Sequence, residues 1–266
     1  MNQEPMSPYE QEIESSYNPY VSEKKTGGKG KRNFFLFLLV LVIGIVAFVL
    51  FFFQIRSIEV IGNHLRSKQE VLNLAGIGIG DNLLFANKNK VEEGINADRY
   101  LIFAGMYPLY PSQLFIQVYE RLPIGMFQYM GVTYTTDMEG MVLEQEEIVG
   151  SEEKLVYFRG LDIKECKLGS FFSCRSDKQF LAYKKILEEL NYQTYYQEVR
   201  ECNLSSIDNI SLISVYGFKI RLGDSSDMRA KIGAARAVIS KLIELNAPIG
   251  TLDVSSPIYP TFIPDE

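Results

Sequence analysis

The chain has 266 residues, 47% of them hydrophobic, with 27 basic and 33 acidic side chains and a formal charge of −6. That balance argues against a nucleic-acid partner and against tight docking on anionic lipid, since both favour clustered lysine and arginine. A single histidine, His64, removes most histidine-based metal sites and catalytic triads, and three cysteines, odd in number and widely spaced, make no disulfide framework but leave room for one bridge among Cys166, Cys174 and Cys202.

Residues 1–33 are rich in Ser, Pro, Gly, Tyr and charge. They bury too little apolar surface to offset the entropy of ordering, and a disordered tail is expected. Tyr9, Tyr17 and Tyr20 are its only candidate docking or modification points, and their spacing singles out neither role. Phe34 to Phe53 follows without one charge and with Gly44 as its only glycine. As a helix this run spans roughly 30 Å, the thickness of a bilayer's hydrocarbon core. Lys24, Lys25, Lys29, Lys31 and Arg32 precede it, and only Arg56 stands close on the other side. The positive-inside rule then puts residues 1–33 in the cytoplasm and 54–266 outside. A cleaved signal peptide has a shorter apolar core and a small-residue cleavage site, whereas this run ends in Phe51-Phe52-Phe53. The expectation is an uncleaved, single-pass anchor. The tail holds five basic and five acidic residues, so the outer part keeps 22 and 28 of the totals of 27 and 33.

Beyond the anchor, Ile55 to Ile61 alternates as a strand and closes on the turn pair Gly62-Asn63. Ser67-Lys68-Gln69-Glu70 has the letters of a capping box, so a short helix is expected from Ser67. Gly76, Gly78 and Gly80 break it, Leu83-Leu84-Phe85 anchors the chain, and a second amphipathic helix is expected over 88–97. Two extended runs follow, 100–107 and 113–119, around the turn-rich Pro108-Leu109-Tyr110-Pro111. The order is strand, helix, helix, strand, strand.

Further strands are expected over 131–136, 141–143, 155–158, 211–216, 218–222 and 251–254, with Asp137 to Gly140 as a hairpin turn. Residues 144–154 read as an acid-rich, solvated loop, and the register of 193–200 is open. Ser176-Asp177-Lys178-Gln179 is a second capping-box sequence. Phe180, Tyr183, Leu187 and Leu190 then form one helical face, as do Met228, Ile232, Ala235, Ile239 and Leu242 on a helix over 227–245. The fold class is α+β: a mostly antiparallel sheet with two helices against one face.

No recognisable catalytic motif occurs. No cysteine sits in a reactive motif, and His64 falls in an exposed turn. The pairs Glu146 with Glu147 and Glu188 with Glu189 read as solvated faces. Near the end of the chain, Ile258, Tyr259 and Phe262 either cap the protein's own core or meet a partner. Pro257, Pro260 and Pro264 remove amide donors, as is common on sheet edges.

Several segments, in this order, carry a family resemblance. They are IRSIEVIGN, GIGIGDNLLF, PSQLFIQVYERLPIG, YTTDMEGMVLE, GFKIRLGD and IGTLDVSSPIYP, covering about 54–145 and 215–260. Directly after an N-in anchor they resemble the bacterial cell-division family FtsQ/DivIB. The resemblance implies a POTRA domain over 54–123 and a β domain over 124–266. It implies a divisome scaffold at the septum that binds FtsB/DivIC-like and FtsL-like partners and helps control septal peptidoglycan synthesis. No catalysis, cofactor, metal or small-molecule substrate is implied. In the family the C-terminal part of the β domain pairs with the FtsB or DivIC partner. Here that segment runs from Asp253 to Phe262, with Asp253, Ile258, Tyr259, Thr261 and Phe262 as contact candidates. Arg121 and Pro123 are expected to hold the interdomain junction. Two other readings are an anchored cell-wall-modifying enzyme and a POTRA-bearing translocation component.

Overall fold

A computed structural model describes residues 29–146 and 155–265 of the chain. The expectations for most of the tail, including its three tyrosines, and for 147–154 lie outside the described residues. Helix α1 (Lys29–Phe52) contains the apolar run except Phe53 and starts five residues before Phe34, at the basic cluster. Lysine and arginine are good helix formers, so nothing local stops the helix at the edge of the apolar stretch. The chain from Gln54 onward forms its own compact unit.

That unit holds two hydrophobic cores. The first gathers β1 (Ser57–Ile61), α2 (Lys68–Ala75), a 3-10 turn (Leu83–Phe85), α3 (Lys88–Asn96), β2 (Leu101–Leu109) and β3 (Gln113–Glu120). The three strands lie in the order β1-β3-β2, with β1 parallel and β2 antiparallel to β3. Ser67 caps α2 as its letters predict: its hydroxyl accepts the Glu70 N–H, and the Glu70 carboxylate accepts the Ser67 N–H. Val71, Ala75, Val91 and Ile95 bury the inner helix faces on Ile58, Leu114, Ile116 and Val118.

The second core lies under a nine-stranded sheet. Its strands are β4 (Gly125–Tyr129), β5 (Val132–Thr136), β6 (Val142–Glu146), β7 (Val156–Arg159), β10 (Val199–Asn203), β11 (Ile210–Ser214), β12 (Lys219–Gly223), β13 (Gly250–Asp253) and β14 (Thr261–Pro264). The order across the sheet is β14-β13-β12-β11-β10-β7-β4-β5-β6. Strands β8 (Ile163–Glu165) and β9 (Ser173–Cys174) make a separate small ribbon. The large sheet is mixed. Antiparallel pairings predominate, but β4–β7, β7–β10 and β12–β13 are parallel. Two of these have a physical cause. Helix α4 (Asp177–Tyr192) lies between β7 and β10 in sequence, and α5 (Met228–Glu244) between β12 and β13. A crossover helix returns the chain to the same end of the sheet, so the next strand runs parallel.

Tyr183, Leu187 and Leu190 of α4 and Met228, Ile232, Ala235 and Ile239 of α5 are buried in this one core, as their spacing predicts. Along β12, Ile220 and Leu222 are buried while Lys219 and Arg221 are exposed. The second capping box does not form. Ser176 makes no side-chain cap bond. Gln179 instead turns inward: its Nε2 donates to the carbonyls of Gly160 (2.9 Å) and Leu204 (2.8 Å), and its Oε1 accepts the Asp162 N–H. A buried amide that satisfies three backbone groups outweighs one cap bond.

Candidate functional site

Strand β14 forms one border of the large sheet, paired on a single side with β13. The register sets Leu252 opposite Phe262 and Thr251 opposite Ile263. Leu252 is buried, so Phe262 lies on the core face, where its ring meets Phe218 edge-on with centroids 6.1 Å apart. Thr261 and Ile263 point to the opposite face, because strand side chains alternate. The backbone alternates as well. The Asp265 N–H donates to the Ile249 carbonyl at 2.9 Å, so residues 261, 263 and 265 turn their peptide groups toward β13. Phe262 and Pro264 turn theirs outward. The border thus offers the Phe262 N–H and C=O and the Pro264 C=O.

The approach to β14 is a tight loop. Val254 is buried and its N–H donates to the Arg221 carbonyl at 2.9 Å. Asp253 accepts from the Ser255 Oγ (2.6 Å) and the Ser255 N–H (2.9 Å). The Ser255 hydroxyl, with help from its amide and from Arg221, holds this carboxyl below the usual carboxylate range. Ile258 and Tyr259 project beyond the loop. Ile258, Tyr259 and Ile263 are exposed to 79%, 77% and 67% respectively.

The sequence-derived candidates therefore separate by role. Ile258, Tyr259 and Thr261 are on the open surface, Asp253 is bonded to its own turn, and Phe262 fastens the strand to the core. Ile263 was missed. Its signal was the alternation Thr261-Phe262-Ile263, which sets Ile263 on the face opposite Phe262.

The second group of candidates lies where the two cores meet. Arg121 sits one residue past β3, and its Nη1 donates to the Asp137 and Glu139 carboxylates, the latter at 2.9 Å. The Arg121 side chain is 11% exposed and that of Asp137 is 5% exposed. The guanidinium also lies 5.5 Å from the ring centre of Phe171. Asp137 is fixed from the other side, since its Oδ1 accepts the N–H groups of Glu139 and Met141. This is the β5–β6 turn, closed by Gly140 at φ +89 with its N–H on the Asp137 carbonyl. Pro123 is half-buried in the short link to β4.

Glu120, next to Arg121, accepts the N–H groups of His64, Leu65 and Arg66 at 2.8–2.9 Å. Two adjacent residues of opposite charge thus each clasp a turn, one beside each core. Tyr100 adds a third tie by donating its hydroxyl to Glu144. Burial first, and then that carboxylate, push its phenol up to about 12. The three thiols are free, and burial pushes Cys166 up to about 12 and Cys174 to about 11, which leaves them poor nucleophiles at neutral pH.

Residues 53–121 match the family described as "POTRA domain, FtsQ-type". Cell division protein DivIB of Clostridium tetani is 24% identical over 224 residues, 83% of each chain. Cell division protein DivIB of Clostridium botulinum (strain Hall) is 24% identical over 252 residues, covering 93% of this chain and 96% of the relative. Cell division protein FtsQ of Mycobacterium leprae is 30% identical over 99 residues, 37% of this chain and 29% of its own.

Proposed function

Because the chain belongs to the FtsQ/DivIB family of cell division proteins, we propose that it is a single-pass membrane scaffold of the divisome. Its tail faces the cytoplasm, and its POTRA and β domains stand outside the membrane at the septum. There it binds FtsB/DivIC-like and FtsL-like partners and so helps control septal peptidoglycan synthesis. It works by binding, without a catalytic step or cofactor.

The open border of β14 carries this reading. An extended partner segment adds to the sheet through the outward Phe262 and Pro264 groups, and Ile258, Tyr259 and Ile263 supply the side-chain contacts. Arg121 and Pro123 serve it indirectly by holding the junction. The test is to purify the full-length protein and a Tyr259→Lys/Ile263→Lys variant from dividing cells and identify what accompanies each. Loss of the FtsB/DivIC-like and FtsL-like proteins from the variant alone supports the edge. Recovery with both forms moves the binding surface elsewhere, and recovery with neither sinks the scaffold.

A further inference from the structure

The loop between α2 and α3 exposes three large apolar side chains: Ile79 at 74%, Leu84 at 44% and Phe85 at 69%. Their neighbours fix them there. Ile77 and Leu83 are buried in the first core. The Asp81 carboxylate accepts the Gly78 N–H, and the Asn82 side chain accepts the Leu84 N–H. With Ile77 and Leu83 pointing in and the backbone tied down, Ile79, Leu84 and Phe85 have no inward path.

The same loop is bonded to the first residues after α1. The Ile55 N–H donates to the Asp81 carbonyl (2.7 Å), and the Gly80 N–H donates to the Ile55 carbonyl (2.9 Å). Gln54 pairs with Asn82 as an isolated bridge and donates its Nε2 to the Gly80 carbonyl (3.1 Å). Helix α1 ends at Phe52, two residues before Gln54, and two residues reach at most about 7 Å. The headgroup layer on each side of a bilayer's hydrocarbon core is itself about 5–7 Å thick. With α1 read as the span, that short tether leaves this loop within reach of the bilayer surface. Its charges suit that place: Lys88 and Lys90 follow the apolar tip, and Asp81, its one acid, is already bonded within the loop.

We propose that residues 79–85 are a second membrane contact. Ile79, Leu84 and Phe85 enter the headgroup–acyl boundary of the leaflet from which α1 emerges, and Lys88 and Lys90 lie among the lipid phosphates. The proposal rests on the reading of α1 as a membrane span. Its effect is to restrict how the POTRA domain swings about its tether.

The chain contains no tryptophan, so a single substitution supplies the only indole signal. Full-length Phe85→Trp, Ile79→Trp, Phe51→Trp and Tyr259→Trp variants would be reconstituted separately. The vesicles are phosphatidylcholine and phosphatidylglycerol with acyl chains brominated near the headgroup. The expected result is blue-shifted emission at positions 85 and 79, quenched by bromine as at position 51, with Tyr259→Trp unquenched. Quenching at position 51 alone overturns the membrane contact and leaves the span intact. No quenching at position 51 overturns the span and this proposal with it. Quenching at all four positions means the protein adheres to lipid without a defined foot, and also overturns it.

Discussion

Ile263 lies so close over Gly250 that a Cβ at position 250 would stand 2.3 Å from the Ile263 carbonyl oxygen and 2.7 Å from the Pro264 Cα. The last strand can pair with β13 only because that side chain is missing.

Gly250→Ala is therefore expected to lift β14 from the sheet and break the Asp265–Ile249 bond, at a cost of about 1–3 kcal/mol, the usual range for overpacking. Hydrogen exchange should speed up at Ile263 and Asp265 while β11 and β12 stay protected. Unchanged exchange at both positions would show that the strand accommodates the methyl group.

Neighbouring residues on β14 should respond differently. Phe262→Lys removes a half-buried ring from Phe218 and should cost about 1–2 kcal/mol. Ile263→Lys, on the exposed face, should stay within about 0.5 kcal/mol of the parent. Partner capture should fall with Ile263→Lys despite unchanged urea unfolding. Equal destabilisation by both would contradict the assignment of faces.

Arg121→Ala leaves the nearly buried Asp137 carboxylate without its cation, and a loss of about 3 kcal/mol is expected. In a cycle with Asp137→Asn, the double variant should lose clearly less than the two single losses combined. Additivity within about 0.5 kcal/mol would mean the pair is not coupled. Limited proteolysis of Arg121→Ala should open the link at 121–124 first.

Acid should act through Asp224. Its carboxylate accepts from the buried Lys231 Nζ (2.7 Å) and from the Ser226 N–H and Oγ. Lys231, then Ser226, holds it far below the usual carboxylate range. A depressed folded value gives stability that is present above the unfolded value of about 3.9 and is lost as pH falls through the folded one. The urea midpoints of the parent and Asp224→Asn should differ at pH 7 and converge on strong acidification. A gap that persists in acid would mean the charge is not what matters.

What the sequence revealed was what is local. Ser67 and Glu70 stand three residues apart and formed the cap they spell. Ser176 and Gln179 spell the same cap, yet Gln179 is claimed by Gly160 and Leu204, groups distant in sequence. The helical faces of α4 and α5 were legible because their period is internal to each helix. Strand β14 was hidden by Pro257, Pro260 and Pro264, which usually argue against a ladder. Its pairing depends on the gap above Gly250, which has no short-range sign. Arg121 stood out in its motif, but its hold on the 137–140 turn depends on how two cores meet. Glu120 and the three amides it gathers gave no signal, since a lone carboxylate at a strand end looks like any solvated one.

The sheet order has a temporal consequence. With the tail held on the cytoplasmic side as proposed, the chain emerges from α1 onward in sequence order, so β13 and β14 come after every other described strand, and β14 has nowhere to settle until β13 lies beside β12. Strand β14 is thus the last of the described strands that can form. If β14 is the docking border proposed above, a copy whose β13 has not yet reached β12 has nothing to offer a binding protein.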